Sequence, residues 1–196
     1  MAVRSPENGY TNEFKIRAFE YVVQGLANWF KECSHISDNR SFNNNNDLNK
    51  LKILKLHFFV TAAKSDDNQL LNVFNNFSAM PYGHVESDIY NALDSLERYD
   101  ISNYRLTIKD DYLDTLSQSF DSLESWIKDE IDASIKVLRK INNIIILYTA
   151  FQLVELSHSW FSWKSMFAIA RSHNKLSESI PSRIIREENK NFRLAF

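Results

Sequence analysis

Glu155 and His158 have the spacing of a carboxylate–imidazole ligand pair on one face of a metal-binding helix. A di-iron centre also needs a second such pair and two more carboxylates from facing helices. A histidine near the C-terminal end of a helix has a simpler explanation, because its ring can bond a carbonyl and interact favourably with the helix dipole. We therefore predict no metal here. A metal-dependent enzyme that uses His57, His84, Glu155 and His158 is kept as an alternative.

The other residues capable of chemistry are isolated in the sequence. Cys33 and His35 are two potential zinc ligands, but structural zinc takes four, and no spaced partners follow. Ser157 and His158 are neighbours, which rarely point at each other, and no nucleophile elbow surrounds the serine. Gly83 lacks the further glycines of a phosphate-binding loop. Two acidic pairs are better explained as caps: Asp66–Asp67 and Asp110–Asp111. We expect neither catalytic residues nor a cofactor.

Aromatic residues form a cluster directly after His158. In one interpretation they close the core at a turn; in the other, one or two are exposed and anchor a partner, since aromatic residues dominate interface hot spots. For Trp160 and Phe161 both interpretations stay open, whereas Trp163 is predicted to be a core residue.

Tyr82 and His84 stand on either side of Gly83 and present a similar choice. They either build a structural turn or form the rim of a binding site. Because a lone glycine at a turn serves a conformation that other residues adopt only under strain, we predict a positive φ at Gly83.

The composition excludes several classes of protein. The chain has 196 residues, of which 44% are hydrophobic and 13% aromatic, so it can bury the core of one domain. A net charge of −2 gives no basic excess for nucleic acid. The single cysteine, Cys33, fits a reducing compartment. Met1–Asn12 has no apolar signal core, and the apolar run Ile144–Phe151 is too short to span a bilayer. We expect a soluble, cytoplasmic protein without a membrane partner.

With only three glycines and three prolines, the sequence favours helices. We predict a mostly α fold, a single compact helical domain with a small β element, over residues 13–196 after a flexible tail, 1–12. Apolar periodicity predicts these helices: 13–32, 47–63 capped by Asp47, 86–98, 149–157, 163–172 and one starting at Pro181. Residues 111–138 are predicted as one long helix or two, with Asp111 as the cap.

The segments between these helices are less regular. Residues 34–46, which end in four asparagines, are predicted to be a loop. Residues 70–77 fit either a short helix or a strand. Residues 102–109 alternate and predict a strand, which could pair near 74–77. Pro81 and Gly83 predict a turn that leads into a helix. The helix at 47–63 is apolar on more than one side, so we place it at the centre.

Three segments match sequence motifs that are more specific than helical periodicity or a turn signal. Lys50–Phe59 reads K-L-K-I-L-K-L-H-F-F, Pro81–Val85 reads P-Y-G-H-V before Ile89–Tyr90, and Leu153–His158 reads L-V-E-L-S-H before Trp163. In this order they resemble the Panacea domain family, also called the GepA-like or SocA-like antitoxin domain. The resemblance covers residues 47–173. It departs where the family commonly has proline and alanine, at His84 and Met166.

The resemblance implies a non-enzymatic antitoxin that binds and neutralises a partner toxin protein. Family members occur on mobile genetic elements, in toxin–antitoxin pairs, so the toxin is expected from a neighbouring gene. An alternative is an adaptor that delivers a partner to a protease, with Leu194–Phe196 as a docking or degradation tag. The resemblance also places the motif segments in one core. We therefore expect Tyr82, Gly83 and His158 to be close together and structural, with His84 and Trp160 nearer the surface.

Overall fold

The computed structural model describes residues 9–64 and 68–194. Its helices are α1 (Asn12–Cys33), α2 (Asn39–Asn45), α3 (Lys50–Ala62), α4 (Leu70–Val73), α5 (Ser87–Ala92), α6 (Ser125–Ile141), α7 (Ala150–His158), α8 (Phe161–Ser172) and α9 (Ser182–Glu187). Its strands are β1 (Phe77–Met80), β2 (Gly83–Glu86), β3 (Tyr99–Ile101), β4 (Leu106–Ile108) and β5 (Glu178–Ser179). The predicted mostly α fold with a small β element is confirmed. Most of the predicted tail, Asp66–Asp67 and Ala195–Phe196 lie outside the described residues.

Helix α3 occupies the centre of the fold, as predicted. Every residue from Lys52 to Ala62 is buried, because apolar side chains surround the helix on all sides. It contacts α1, α6, α7 and β2. Its N-cap is Asn49, whose side chain accepts from the Lys52 amide; the predicted cap, Asp47, instead pairs with the Lys52 ammonium at 2.7 Å.

Helices α1 and α6 pack closely against each other and against α3. Thr11 caps α1 by accepting from the Phe14 amide, and the helix then buries a stripe at three- and four-residue intervals. Gly25 allows the close approach, since a Cβ there would collide with the Ile135 side chain of α6. A groove of about 330 Å³ remains between the two helices.

The first sheet has the strand order β2–β1–β5 and is antiparallel throughout. Strands β1 and β2 form a hairpin in which Met80 faces Gly83 across the turn Pro81–Tyr82. The turn was predicted, but the strands around it were not. The turn leads into β2, not directly into a helix. The helix begins only at Ser87, where the Glu86 carboxylate accepts from the Ile89 amide.

The second sheet is the hairpin β3–β4. The predicted strand at 102–109 is therefore shorter, and its predicted partner near 74–77 is wrong. The hydroxyl of Ser102 accepts from the amides of Tyr104 and Arg105, which closes the turn. The predicted helix at 86–98 ends early, in a 3₁₀ turn at Leu93–Ser95, because the chain then extends into β3.

The predicted loop at 34–46 contains helix α2, capped by Asp38. Two of the four consecutive asparagines are ordered by β4. The Asn43 side chain exchanges two hydrogen bonds with the backbone of Ile108, and the Asn46 side chain does the same with Leu106. These amides act as a substitute for a neighbouring strand, which covers the edge of the hairpin.

The region predicted as a long helix at 111–138 is helical in the α sense only from Ser125. Before that, the chain forms 3₁₀ turns at Asp110–Tyr112 and Gln118–Phe120, and no side-chain cap bond forms at Asp111. The guanidinium of Arg98 donates to both the hydroxyl and the carbonyl oxygen of Ser119. The Ser119 carbonyl is therefore bonded to this side chain instead of to a helical amide. Among the described residues, no helix has the length and apolar character needed to cross a bilayer.

Candidate functional site

A buried polar cluster joins the three segments that carry the sequence pattern. Lys55 of α3 donates from its Nζ to the carbonyl oxygen of His84 in β2, at 2.5 Å. The His84 amide donates to the hydroxyl oxygen of Ser157 in α7 at 3.1 Å. One residue from each segment therefore contributes to one hydrogen-bonded unit, although more than a hundred residues separate the first from the last.

The imidazole of His84 is held on every side. Its Nδ1 lies 2.8 Å from the Ser157 hydroxyl, and its Nε2 lies 2.8 Å from the Ser162 hydroxyl. Its ring stacks on Phe58, with centroids 3.7 Å apart and an interplanar angle of 6°. Burial lowers the pKa of His84 well below its usual range, and the Lys55 cation adds to the effect. The ring is therefore neutral, with one nitrogen donating and the other accepting.

Lys55 is a buried ammonium group. Burial lowers its pKa from 10.5 to about 7. Among the described residues it has no carboxylate partner, and the His84 carbonyl is its hydrogen-bond acceptor. Sequence reasoning missed this lysine. The available signal was its place inside Ile53–Phe59, a stretch of helix whose neighbours are apolar on all sides.

Gly83 lets the hairpin approach α7. Its φ is 98°, so the predicted positive φ is confirmed. A Cβ at this position would overlap the Ser157 hydroxyl and lie 3.2 Å from the Lys55 Nζ. The cluster is therefore a close-packed joint between β2, α3 and α7.

The surface next to this joint carries Tyr82, whose side chain is 59% exposed. The predicted structural role of Tyr82 does not match this exposure, because the turn presents the ring outward. His158 hydrogen-bonds to the backbone of Pro81, so the expected proximity of His158 to this turn is observed. Burial lowers the pKa of His158, and the Lys55 cation contributes a smaller part.

Three rings continue this surface along α8. His158 stacks on Trp163 with centroids 3.7 Å apart, and Trp163 stacks on Phe167 at 4.9 Å. The Trp163 indole also donates to the Met80 carbonyl at 2.8 Å, which ties α8 to β1. Trp163 was predicted to be a core residue; it packs against the core but is only half-buried, since no element among the described residues covers one side of α8.

Trp160 and Phe161 are adjacent and have opposite environments. Trp160 is 1% exposed, packs against Phe58 and Phe192, and donates to the Asn191 carbonyl at 2.8 Å. The expectation that Trp160 and His84 lie nearer the surface is therefore wrong, because both fill the joint beneath α8. Phe161 is 64% exposed and lines a depression of about 230 Å³ with Arg183.

The residues of the metal-enzyme alternative do not assemble. His57 lies between the rings of Phe19 and Phe74, neither of its nitrogens has a hydrogen-bond partner, and burial lowers its pKa to about 3. Both ring nitrogens of His84 bind serines. Glu155 is exposed on α7. Within 9–64 and 68–194, no group of three or more histidine, cysteine or acidic side chains is placed to hold a metal ion.

Two other residue pairs with a spacing that could support catalysis or metal binding also do not form a site. Ser157 points inward to His84, whereas His158 lies outside against Trp163. A further Glu-x-x-His spacing, at Glu32 and His35, ends α1, but Glu32 pairs there with Arg139 and His35 is exposed.

The joint and the aromatic surface beside it are therefore the features that connect the sequence pattern to the fold. In comparisons with protein-family models, curated proteins and solved structures, nothing matched this chain.

Proposed function

We propose that this chain is a non-enzymatic, antitoxin-like protein that binds and neutralises a partner toxin protein. The observation that carries the proposal is the joint of Lys55, His84 and Ser157. If the Panacea-like pattern defines a domain, its three segments should lie together in the fold. Each of these three residues comes from a different segment of the pattern, and hydrogen bonds join them. The three segments that carry the resemblance thus meet in the fold, and at one of the meeting residues, His84, the chain departs from the family pattern.

Neutralisation by direct occlusion is the mechanism we favour. Exposed aromatic residues are typical anchors of protein interfaces. Tyr82 supplies such a residue at the tip of the β1–β2 hairpin, directly above the joint. Because the hairpin is held by α3 and α7, Tyr82 is presented in a fixed position and its ordering costs little on binding. The toxin is expected from a neighbouring gene on a mobile element, with both proteins in the cytoplasm.

Co-expression with the neighbouring gene product tests the proposal. Expressed alone, that product should arrest growth, and expression of this chain should restore it. Tyr82→Ala should weaken the rescue and leave the melting temperature unchanged. Tyr104→Ala is the matched control, since Tyr104 is 83% exposed at the tip of the other hairpin.

Three outcomes decide between the alternatives. A neighbouring product that is harmless alone, or that stays toxic beside this chain, contradicts the antitoxin function. Rescue with an undiminished amount of toxin supports occlusion. Rescue in which the toxin disappears indicates delivery to a protease, which is the adaptor alternative.

A further inference from the structure

One flank of α8 is an uncovered surface of aromatic and basic side chains. Trp163, Phe167 and Arg171 follow each other at four-residue intervals, so they lie along one side of the helix. His158 extends the row from α7 by stacking on Trp163. Trp163 and Phe167 are half-buried, whereas Arg171 is exposed. We call this surface, together with Lys175 and Leu176, the α8 flank.

The sequence interval that contains the α8 flank is rich in basic residues, in a chain whose net charge is −2. No aspartate or glutamate occurs between Glu155 and Glu178, while Lys164, Arg171 and Lys175 all lie in this interval. Arg171 makes no ion pair or hydrogen bond with another side chain in the described part of the protein. Lys175 forms a 3.8 Å ion pair with Glu178. On the flank, the Arg171 guanidinium is therefore available for an anionic partner, whereas the Lys175 ammonium already has a carboxylate partner.

A depression of about 390 Å³ lies at the end of the flank. Phe167, Arg171, Asn174, Lys175 and Leu176 line it. Leu176 is 79% exposed, which leaves a large apolar side chain beside two cations.

The rim of this depression is held in place by the end of α8. Asn174 has a φ of 56°, and the Lys175 amide donates to the Ala170 carbonyl at 2.8 Å, which is a Schellman-type helix end. Lys175 and Leu176 are thereby fixed relative to Phe167.

We propose that the α8 flank docks an acidic segment of a partner protein that carries an aromatic or leucine side chain. A carboxylate of that segment pairs with the Arg171 guanidinium, which offers paired donors to a planar anion. Its apolar side chain enters the depression between Phe167 and Leu176. This proposal rests on the proposed function, because it assigns the chemistry of the partner that the antitoxin would bind.

The ring geometry favours a protein segment over nucleic acid. Single-stranded nucleic acid is bound by aromatic faces that are free to stack on bases, along a groove of many cations. On the α8 flank, His158 and Phe167 each already stack one face on Trp163, so less aromatic surface is open to bases, and cations are few. A partner that contributes one carboxylate and one apolar side chain can use the Arg171 guanidinium and the depression between Phe167 and Leu176.

A displayed library of random peptides, selected on the full wild-type chain, tests the proposal. The selected peptides should combine aspartate or glutamate with an aromatic residue or leucine, and their binding should weaken as salt is raised. The double variant Arg171→Glu/Lys175→Glu should reduce their affinity by about tenfold or more, as expected for loss of an interface hot spot. Leu176→Ser should also weaken them, without a change in the melting temperature.

The control is a second depression, in which an exposed aromatic residue and an arginine lie beside Glu187 and Glu188. Phe161→Ala/Arg183→Glu changes an exposed aromatic and a cation that lie together on another side, and it should leave peptide binding intact. The proposal is overturned by peptides without acidic residues, by equal binding to the Arg171→Glu/Lys175→Glu variant, or by tight binding of a short oligothymidine at the flank.

The two proposals fail in different ways. If Arg171→Glu/Lys175→Glu neutralises the toxin as well as the wild type does, the docking surface is wrong and the antitoxin function stands. If the wild type neutralises no neighbouring product while the peptides still bind, the antitoxin function is wrong and the acidic-segment site stands.

Discussion

The Nδ1 of His84 lies 2.8 Å from the hydroxyl oxygen of Ser157, and the His84 amide donates to the same oxygen at 3.1 Å. Strand β2 and helix α7 are therefore joined by backbone and side chain at a single residue pair. Any change that separates these two residues also leaves buried polar groups without partners, which costs about 1–3 kcal/mol per group.

Gly83→Val is expected to destabilise the domain, because Gly83 has a φ of 98° and a Cβ would overlap the Ser157 hydroxyl. Backbone strain alone should cost roughly 1–3 kcal/mol in the free energy of unfolding, measured by urea denaturation. Gly9→Val is the control for backbone strain without a collision, since Gly9 also has a positive φ but no atom lies within 4 Å of its Cβ position.

The contribution of the Ser157 hydroxyl to this effect can be measured with Ser157→Ala. In the double variant Gly83→Val/Ser157→Ala the colliding oxygen is gone, so the two changes should cost less together than their sum. Strictly additive free energies would show that Ser157 does not oppose a side chain at position 83.

Trp160→Ala and Phe161→Ala should separate two adjacent aromatic residues. Trp160 is 1% exposed, so its truncation leaves a cavity and should cost roughly 3–5 kcal/mol of stability. Phe161 is 64% exposed, and its truncation should stay within about 0.5 kcal/mol. Thermal and urea denaturation of both variants measure the difference; equal losses would contradict the assigned environments.

Lys55→Met should change how stability depends on pH. Burial lowers the pKa of Lys55 from 10.5 to about 7, so between these pH values the unfolded chain holds a proton that the folded chain lacks. Wild-type stability therefore gains up to about 1.4 kcal/mol per pH unit from this group as pH rises through the window. The free-energy cost of burying the Lys55 cation is fully present below pH 7, where the folded chain carries that charge.

The measurement is the free energy of unfolding of Lys55→Met and the wild type at several pH values from 7 to 10.5. Any advantage of the variant at pH 7 should shrink as pH rises, since the variant lacks the titrating group. Lys140→Met, at an exposed position on α6, should keep a constant difference from the wild type. A constant difference for Lys55→Met as well would mean that burial does not lower the pKa of Lys55.

Glu20→Gln should weaken the connection between α1 and the second hairpin. The Glu20 carboxylate binds the Arg98 guanidinium at 2.6 Å and accepts from the Arg98 amide at 2.7 Å, and both side chains are buried. Arg98 keeps its 2.9 Å pair with Glu97, so removal of the Glu20 charge should cost about 1–3 kcal/mol. Asp100→Asn is the control: its 3.8 Å pair with Lys109 is exposed, so the change should cost less than about 1 kcal/mol.

Helices α1, α3 and α7 were predictable because their signals are local. Apolar residues at helical intervals define their buried faces, and Thr11 and Thr149 supply caps immediately before α1 and α7. The predicted bounds 13–32 and 149–157 differ from the observed helices by a single residue at each end. Periodicity also placed α3 at the centre, since a helix that is apolar on all sides buries its apolar side chains only when other elements surround it.

The hairpin β1–β2 and helix α2 depend on partners that are distant in the chain. Strand β1 is completed by β5, about a hundred residues later, and two asparagines at the end of α2 bond the backbone of β4. Short segments of this kind carry little pattern of their own, so their conformation follows from the contacts that the fold provides.

At the candidate site, the sequence by itself determined that Gly83 stands at a turn with a positive φ and that aromatic residues cluster after His158; that three segments share one core was an expectation from the resemblance. Only the tertiary structure decided which side chains meet. It paired Ser157 with His84 rather than with its neighbour His158, buried Trp160 and exposed Tyr82. The physical reason is that residue types and spacing fix local backbone conformation, whereas the side of α7 and α8 that is covered depends on the position of α3 and the first sheet.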